Sequence, residues 1–502
     1  AGHDGEAHER SDHERALYSR GTTEAPTDPD RPDGAGRTRT DSDGPVRWTA
    51  YRLVGRAGES VESEPRHRWD RVVLWCRNAL AVWPWSSFAH RRPMTRSSRW
   101  GPLRHTNFRW FFLGETINTA GTSMSRLALA FAVLHIDNSP TALGLVVASW
   151  TVPMVGFMLI GGALADRLPR ALVLRGCNLI EGGVQLASAL LVLSGTAQIW
   201  HLIVLQFIGG TAVAVSYPAF HGMVPILLPE ADRKAAYLLL GQAQSALQVL
   251  GPTIAGIIVA VSNPGWALLA DAATFFVAAV FLTLLRLPVN VRPEAGASVL
   301  ADFRAGWSFA RSLGWVLPVA SLSLVFNAVA SGAINVLGPV MAKTTVGADG
   351  WGVARSAEAL GLFAFAFVLA RVTIRRPLLA CQYGFLATAA PMIALAFATQ
   401  VLPLSAAFLI SGCGLCLINL AWNLTVQERV PEAMLSRIMA IDGFFSFVAM
   451  PIGQLAVGPA SGWFGARDAQ IGAAVVVAAT FLVGATRPAI RSLTLHGPSS
   501  AS

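Results

Sequence analysis

Lysine is nearly missing from this sequence. Of its 39 basic residues only Lys234 and Lys343 are lysine; the rest are arginine. Charge of either sign is scarce. Asp, Glu, Lys and Arg make up 14% of the 502 residues, against about 25% in a soluble domain, so an ordinary water-soluble globule is excluded. Cysteine is limited to five scattered positions. None has a His or Asp cluster around it, so neither a metal site nor a disulfide framework is expected. Cys413 and Cys416 form a Cys-x-x-Cys, but within the apolar run LISGCGLCLINL, where small residues suit a helix contact. No Gly-x-x-x-x-Gly-Lys-[Ser/Thr] loop occurs, which leaves direct ATP drive without support. With no nucleophile–base pair and no cofactor motif, an enzyme is not expected either. No charged, apolar and small-residue stretches follow one another as a secretory signal requires. The alternating apolar and polar decads of a membrane barrel are absent too.

What is present is apolar. Hydrophobic residues make up 53% of the chain. From about residue 109 they come in runs near the length a helix needs to cross hydrocarbon, roughly 20 residues. The runs fall near 109–134, 142–164, 172–194, 200–220, 237–261, 266–287, 314–340, 356–371, 378–397, 402–422, 437–460 and 468–486. That is an all-α polytopic membrane protein of twelve spans. Residues 1–93 differ: they are polar, rich in Arg, Asp, Gly and Pro, and read as a disordered extension. Met94 is a natural start, so the extension is expected to be dispensable. The organisation is then an N-terminal six-helix half over 94–287, a linker over 288–313, a C-terminal six-helix half over 314–486 and a tail over 487–502.

The net charge of +9 could serve nucleic acid, but the arginines sit between apolar runs, which is the pattern of membrane orientation. One set of connections carries Arg104 and Arg109, then Arg167, Arg170 and Arg175, then Arg233 and Lys234, Arg304 and Arg311, Arg371, Arg375 and Arg376, Arg429 and Arg437, and finally Arg487 and Arg491. The alternate connections carry only Lys343, Arg355 and Arg467. The asymmetry puts both termini in the cytoplasm of a cell whose plasma membrane holds the chain. The partners are the bilayer and a small molecule, not nucleic acid.

GGALADRLPR, residues 161–170, concentrates charge at a connection between spans two and three. Read plainly, it is a positive-inside loop with glycines for close helix approach. Its order of elements resembles the signature loop of the major facilitator superfamily, Gly-x-Leu-Ala-Asp-Arg-x-Gly-Arg, with Gly162, Asp166, Arg167 and Arg170 matching and Pro169 departing. LGPTIAG in span five resembles the antiporter motif, with Gly251, Pro252 and Gly256 kept. FRWFFLGETINTAGTSMSRLAL, LLADAATFFVAA and WNLTVQERVPEAMLSRIMAIDGFF are similar to the twelve-span drug:proton antiporter type, the macrolide-efflux and enterobactin-exporter-like branch. The resemblance covers roughly 100–490 and implies two halves rocking about a midplane cavity. It also implies a latch in which Asp166, Arg167 and Arg170 meet the start of span eleven near Leu435 and Ser436. The second half has no copy of the acidic loop. Where the family often carries Gly-Asp in span one, this chain has Gly121-Thr122.

Four charges fall inside spans: Glu115 and Arg126 in span one, Glu181 in span three, Asp271 in span six. An ionisable group in hydrocarbon costs roughly 2.5–3.5 kcal/mol on insertion scales, which marks each as a functional candidate. A carboxylate taken out of water holds its proton more tightly and a nearby arginine loosens it, so a group between these influences can load and unload a proton. The four are the proton-coupling candidates. Each also has a plainer reading as a membrane-edge residue, a structural partner or, for Glu181, a mate for Arg175. Asn118, Gln248, Asn327 and Asn423 are cavity candidates, or interhelical hydrogen bonds. Proton-driven efflux of small amphipathic molecules is the leading function. A membrane sensor or scaffold, and an importer or lipid flippase on the same fold, are the alternatives.

Overall fold

Twelve long helices carry the fold: α1 Thr106–Ile136, α2 Pro140–Arg167, α3 Arg170–Leu193, α4 Ile199–His221, α5 Glu230–Val261, α6 Pro264–Thr283, α7 Val316–Thr345, α8 Gly347–Leu369, α9 Pro377–Phe397, α10 Val401–Arg429, α11 Glu432–Phe464 and α12 Ala466–Thr486. This is a computed structural model. It describes residues 101–286, 299–372 and 374–494, without the side chains of 159–167, 299–303, 432, 433 and 436. The extension over 1–93 and the first part of the 288–313 linker, up to residue 298, lie outside the described residues. No strand occurs among those described.

Eleven of these helices are long and apolar enough to cross a membrane. The remaining one, α1, has 31 residues, more than enough to span, but its first two thirds are diluted by Glu115, Thr116, Asn118, Thr119, Thr122, Ser123 and Arg126. A helix that polar is tolerated only away from lipid. The outer surface of the bundle is apolar: Trp463, Leu402 and Val261 are all more than three-quarters exposed. Such a surface suits hydrocarbon and not water.

The two sets of six repeat one packing scheme. α1 packs on α6 as α7 packs on α12, and α2 on α4 as α8 on α10. The halves join through α2 against α11 and α5 against α8, which are related by the same pseudo-two-fold operation. Helix starts follow local chemistry. At α6, Asn263 accepts a hydrogen bond from the Gly265 amide at 2.8 Å while Pro264 takes the first helical position. α7 is interrupted by a π turn over Ala333–Leu337, and α9 by a break between Ala387 and Ala390. An amphipathic helix, Val299–Ser312, occupies the second part of the 288–313 linker and lies against α11, with Trp307 stacked on Phe445 at 6.1 Å.

Two boundaries correct the sequence reading. Span eight begins at Gly347, not near 356, so Arg355 is nine residues inside a helix and not in a connection. The glycines of GADGWGVARS read as a loop, but Gly350 and Gly352 are close-packing positions within the helix. Asp166 and Arg167 are also helical, in the last turn of α2, and the turn itself is only Leu168 and Pro169. The first correction sharpens the charge asymmetry. With the adjoining helix ends included, the connections α1–α2, α3–α4, α5–α6, α7–α8, α9–α10 and α11–α12 carry only Lys343 and Arg467 as Lys or Arg, whereas the alternate ones carry Arg167, Arg170, Arg233, Lys234, Arg371, Arg375, Arg376, Arg429 and Arg437 among others. The bundle therefore has an arginine-rich face and an arginine-poor face.

Candidate functional site

The halves touch through backbone-tight contacts toward the arginine-poor face. Pro252 lies inside α5. Beside it, a Cβ at Gly251 would strike Ser123 of α1, and one at Gly256 would strike the Ala348 backbone of α8. Gly352 meets the Pro252 carbonyl in return. The Thr253 hydroxyl donates to Ser356 across the same seam at 2.8 Å. The symmetric seam uses Gly144 against Gln454 and Gly458 against Thr141. Lys343 at the end of α7 donates to the Leu134 carbonyl of α1 at 2.5 Å and to Asn138 at 3.2 Å. The Gly-Pro motif is thus part of a seal between halves, built on the close approach that small residues permit.

Below that seal the embedded charges gather. Asp271 is fully buried on α6. Gln185 of α3 donates to one carboxylate oxygen at 2.8 Å, and the Thr122 hydroxyl of α1 to the other at 3.5 Å. Gly121 has no room for a Cβ because Asp271 and Thr274 occupy the space. Where the family often carries Gly-Asp, this chain has Gly121-Thr122, and the Thr122 hydroxyl donates to the Asp271 carboxylate. Glu181 of α3 lies within electrostatic reach of both Asp271 and Glu115. Glu115 accepts from Thr119 at 3.5 Å and lines a small cavity with Phe220, Leu240 and Gln244. Arg126 lies within electrostatic reach of Asp271 and of Arg355. Three carboxylates and one guanidinium of the first half thus form one electrostatic group on α1, α3 and α6.

The second half holds charges that the sequence reading passed over. Arg355 pairs with Glu358 three residues on, and Ser411 of α10 donates to Glu358 at 2.9 Å. Arg355 also lies over the Phe408 ring at 5.7 Å. Asp442 sits in α11 near Trp422. An i,i+3 pair of opposite charge inside an apolar run was the available signal, hidden by the misplaced start of span eight. Gln185 could have been found as the i+4 neighbour of Glu181.

The remaining candidates separate. Arg170 donates to the Gly222 carbonyl at 2.8 Å, tying α3 to the end of α4. The side chains of Gly162, Asp166 and Arg167, and of Ser436 opposite, lie outside the described residues. Asn327 and Asn423 spend an amide N–H on carbonyls of their own helices, at 2.8 and 2.7 Å. Gln248 is exposed, and the Asn118 amide oxygen is buried with no hydrogen-bond partner among the described residues. Cys413 lies against the Gly361 carbonyl at 3.7 Å, a contact between α8 and α10. Among the described residues no group of His, Cys, Asp and Glu has the arrangement of a metal site.

Comparison with known proteins follows this geometry. A family model described as transmembrane secretion effector matches residues 97–494. The multidrug efflux pump Tap of Mycolicibacterium fortuitum is 24% identical over 420 residues, covering 80% of this chain and 99% of its own. The MFS-type transporter YfiS of Bacillus subtilis is 24% identical over 368 residues, covering 70% and 86%. Macrolide efflux protein A of Streptococcus pyogenes is 19% identical over 181 residues, covering 36% and 45%. Among solved structures, a bacterial homologue of the human lysosomal transporter Spinster, in an inward-facing and unoccupied conformation, superposes with a TM-score of 0.61 at 13% identity, covering 78% of this chain and 99% of its own. The nucleoside transporter NupG gives 0.61 at 13% identity, covering 76% and 99%.

Proposed function

The chain belongs to the major facilitator superfamily, among its transmembrane secretion effectors, and from that premise we propose that it exports small amphipathic molecules by proton-coupled alternating access. It is a polytopic membrane transporter of a family that is not enzymatic. We place it in the plasma membrane with both termini cytoplasmic, because the arginine-rich helix ends belong inside. On that orientation the sealed face is the outer one.

One observation carries the proton-coupling reading. Asp271 is wholly buried, yet its hydrogen-bond donors are an amide and a hydroxyl, not a cation. Neutral donors leave it able to exist with or without its proton, whereas a direct ion pair would fix it charged. Glu181 and Glu115 extend from it toward the cytoplasmic side and Arg126 stands nearby, which supports a route for proton loading and release. The two halves would rock about this level. Asp166 and Arg167, with Arg170 and Gly162, would latch the cytoplasmic side against the start of α11 when the outer seal opens. The relatives named as efflux proteins support the outward direction.

The test is efflux of macrolides and lipophilic dyes from energised cells expressing residues 94–502, with and without a proton uncoupler. Export that stops with the uncoupler supports the reading. Export indifferent to the uncoupler removes proton coupling, and no export across the panel removes drug efflux.

A further inference from the structure

Arg126 is the one charge of the mid-bundle group that is exposed. Asp271 is fully buried, while Glu115, Glu181 and Asp442 are only half-exposed. Arg355 and Glu358 hold each other. Arg126 makes no ion pair or hydrogen bond with a described residue, although it lies deep in the bundle within reach of Arg355 and Asp271. The next residues along, Leu127 on α1 and Ala354 on α8, are buried in a single packed cluster with Ala255 of α5. The two guanidiniums therefore sit at the edge of the seal, one from each half. Toward the arginine-poor face the same cluster packs Phe131, Ala348 and Trp351, and Arg126 is exposed beside it.

Two cations near each other in a low-dielectric interior repel strongly, and Glu358 neutralises only one. A buried carboxylate can shed its charge by taking up a proton, but a guanidinium cannot. The lasting charge presented to the gap is positive. A lipophilic cation would meet Arg126, the most exposed of these charges, before the half-exposed carboxylates. An oxyanion would find a planar fork of N–H donors and the unused donors of Arg355 beside it.

Resting on the transport reading, we propose that Arg126 and Arg355 recognise the oxyanion of an amphipathic substrate, so that the cargo is an organic acid of the carboxylate class rather than a lipophilic cation. The seam between halves closes the site: the anion bridges α1 and α8 at the level where the halves must part. An anion leaving the cell and a proton entering it carry charge in the same sense, and an inside-negative potential drives both.

The experiment is binding of dansyl-undecanoate to the purified full-length chain, followed by energy transfer from tryptophan, with its uncharged methyl ester and rhodamine 6G as comparisons. The carboxylate should bind at least about tenfold more tightly than the ester, a gap of roughly 1.4 kcal/mol. Arg126→Gln should bring binding of the acid down to the level of the ester measured on the same variant, and Arg126→Lys should retain part of the preference. Equal binding of acid and ester by the wild-type chain overturns the proposal, even where a variant fails to fold. So does an acid preference that survives Arg126→Gln. Transport is read separately. Uncoupler-sensitive efflux of rhodamine 6G with no acid preference leaves the exporter reading standing and sinks the anion site. Selective acid binding without any flux does the reverse.

Discussion

The same joint is built twice in this bundle, once with a charge and once without. In the first half Asp271 of α6 faces α1, where Thr122 donates to it. In the second half Gln470 of α12 faces α7, and its amide donates to the Ala333 carbonyl at 3.3 Å. Both residues are fully buried. Of the two embedded carboxylates of the second half, Asp442 lies in α11 near Trp422, and Glu358 lies on α8, bound by Arg355 and Ser411. The difference teaches how one repeat can be specialised while its packing is kept. A carboxylate held by neutral donors has two protonation states to offer. One held by an arginine has a single state, and breaking that pair inside the bundle leaves a charge uncompensated. On the proposed mechanism Asp271 is the group that titrates, while the Arg355–Glu358 pair stiffens its own half.

Substitutions that move charge between the halves test this contrast. Asp271→Asn keeps the shape and removes the titratable proton. Proton-coupled efflux should fall by at least about tenfold, a barrier change of roughly 1.4 kcal/mol, with normal membrane insertion; unchanged pH-dependent flux would deny Asp271 its role. Gly352→Val should be nearly as harmful by a different route, because its side chain has no space beside the Pro252 carbonyl. Overpacking of this kind costs about 1–3 kcal/mol, and here it should hold the outer seam apart. The readout is labelling of a cysteine introduced at Thr253, expected to rise in the variant. Glu115→Gln should weaken coupling by less than Asp271→Asn, since Glu115 lines a small cavity instead of joining two helices. Glu358→Gln should lower thermal stability more than it alters the pH profile of transport. A pH profile as disturbed as that of Asp271→Asn would erase the distinction between halves. The smallest effect expected is from starting the chain at Met94, which should insert and transport as the full chain does.

Much of this was legible in the sequence, for identifiable reasons. Span count follows from the length of apolar runs, which the bilayer sets, with the alternation of arginine in support, and the split into two sixes follows from the long connection between spans six and seven. Asp271 stood out because a lone carboxylate in LLADAATFF has no neighbour in sequence to account for it. Other features depended on what lies across a helix interface. Gln185 gains meaning only once α3 is laid against α6. The start of α8 was misjudged because glycines that break helices in water were here placed for contact with α5. Arg126 was grouped with the carboxylates by helical spacing, which says which face it shares with Glu115 but not that this part of the face is open. Asn327 and Asn423 looked like interhelical donors, and the backbone of their own helices had already claimed them.

The π turn in α7 has a consequence for aim. One residue more than a regular turn holds rotates everything after it by about 100° about the helix axis. Downstream of Ala333–Leu337 lies Lys343, whose ammonium reaches the carbonyl end of α1. Deleting a single residue from that turn would swing Lys343 a quarter of the way round, leaving the clasp pointing at a different neighbour though every residue of it survived. The wide turn acts as a phase shifter. It lets a helix that matches α1 in length and packing present its last turn on another compass bearing, so the second repeat can hold the first by its end.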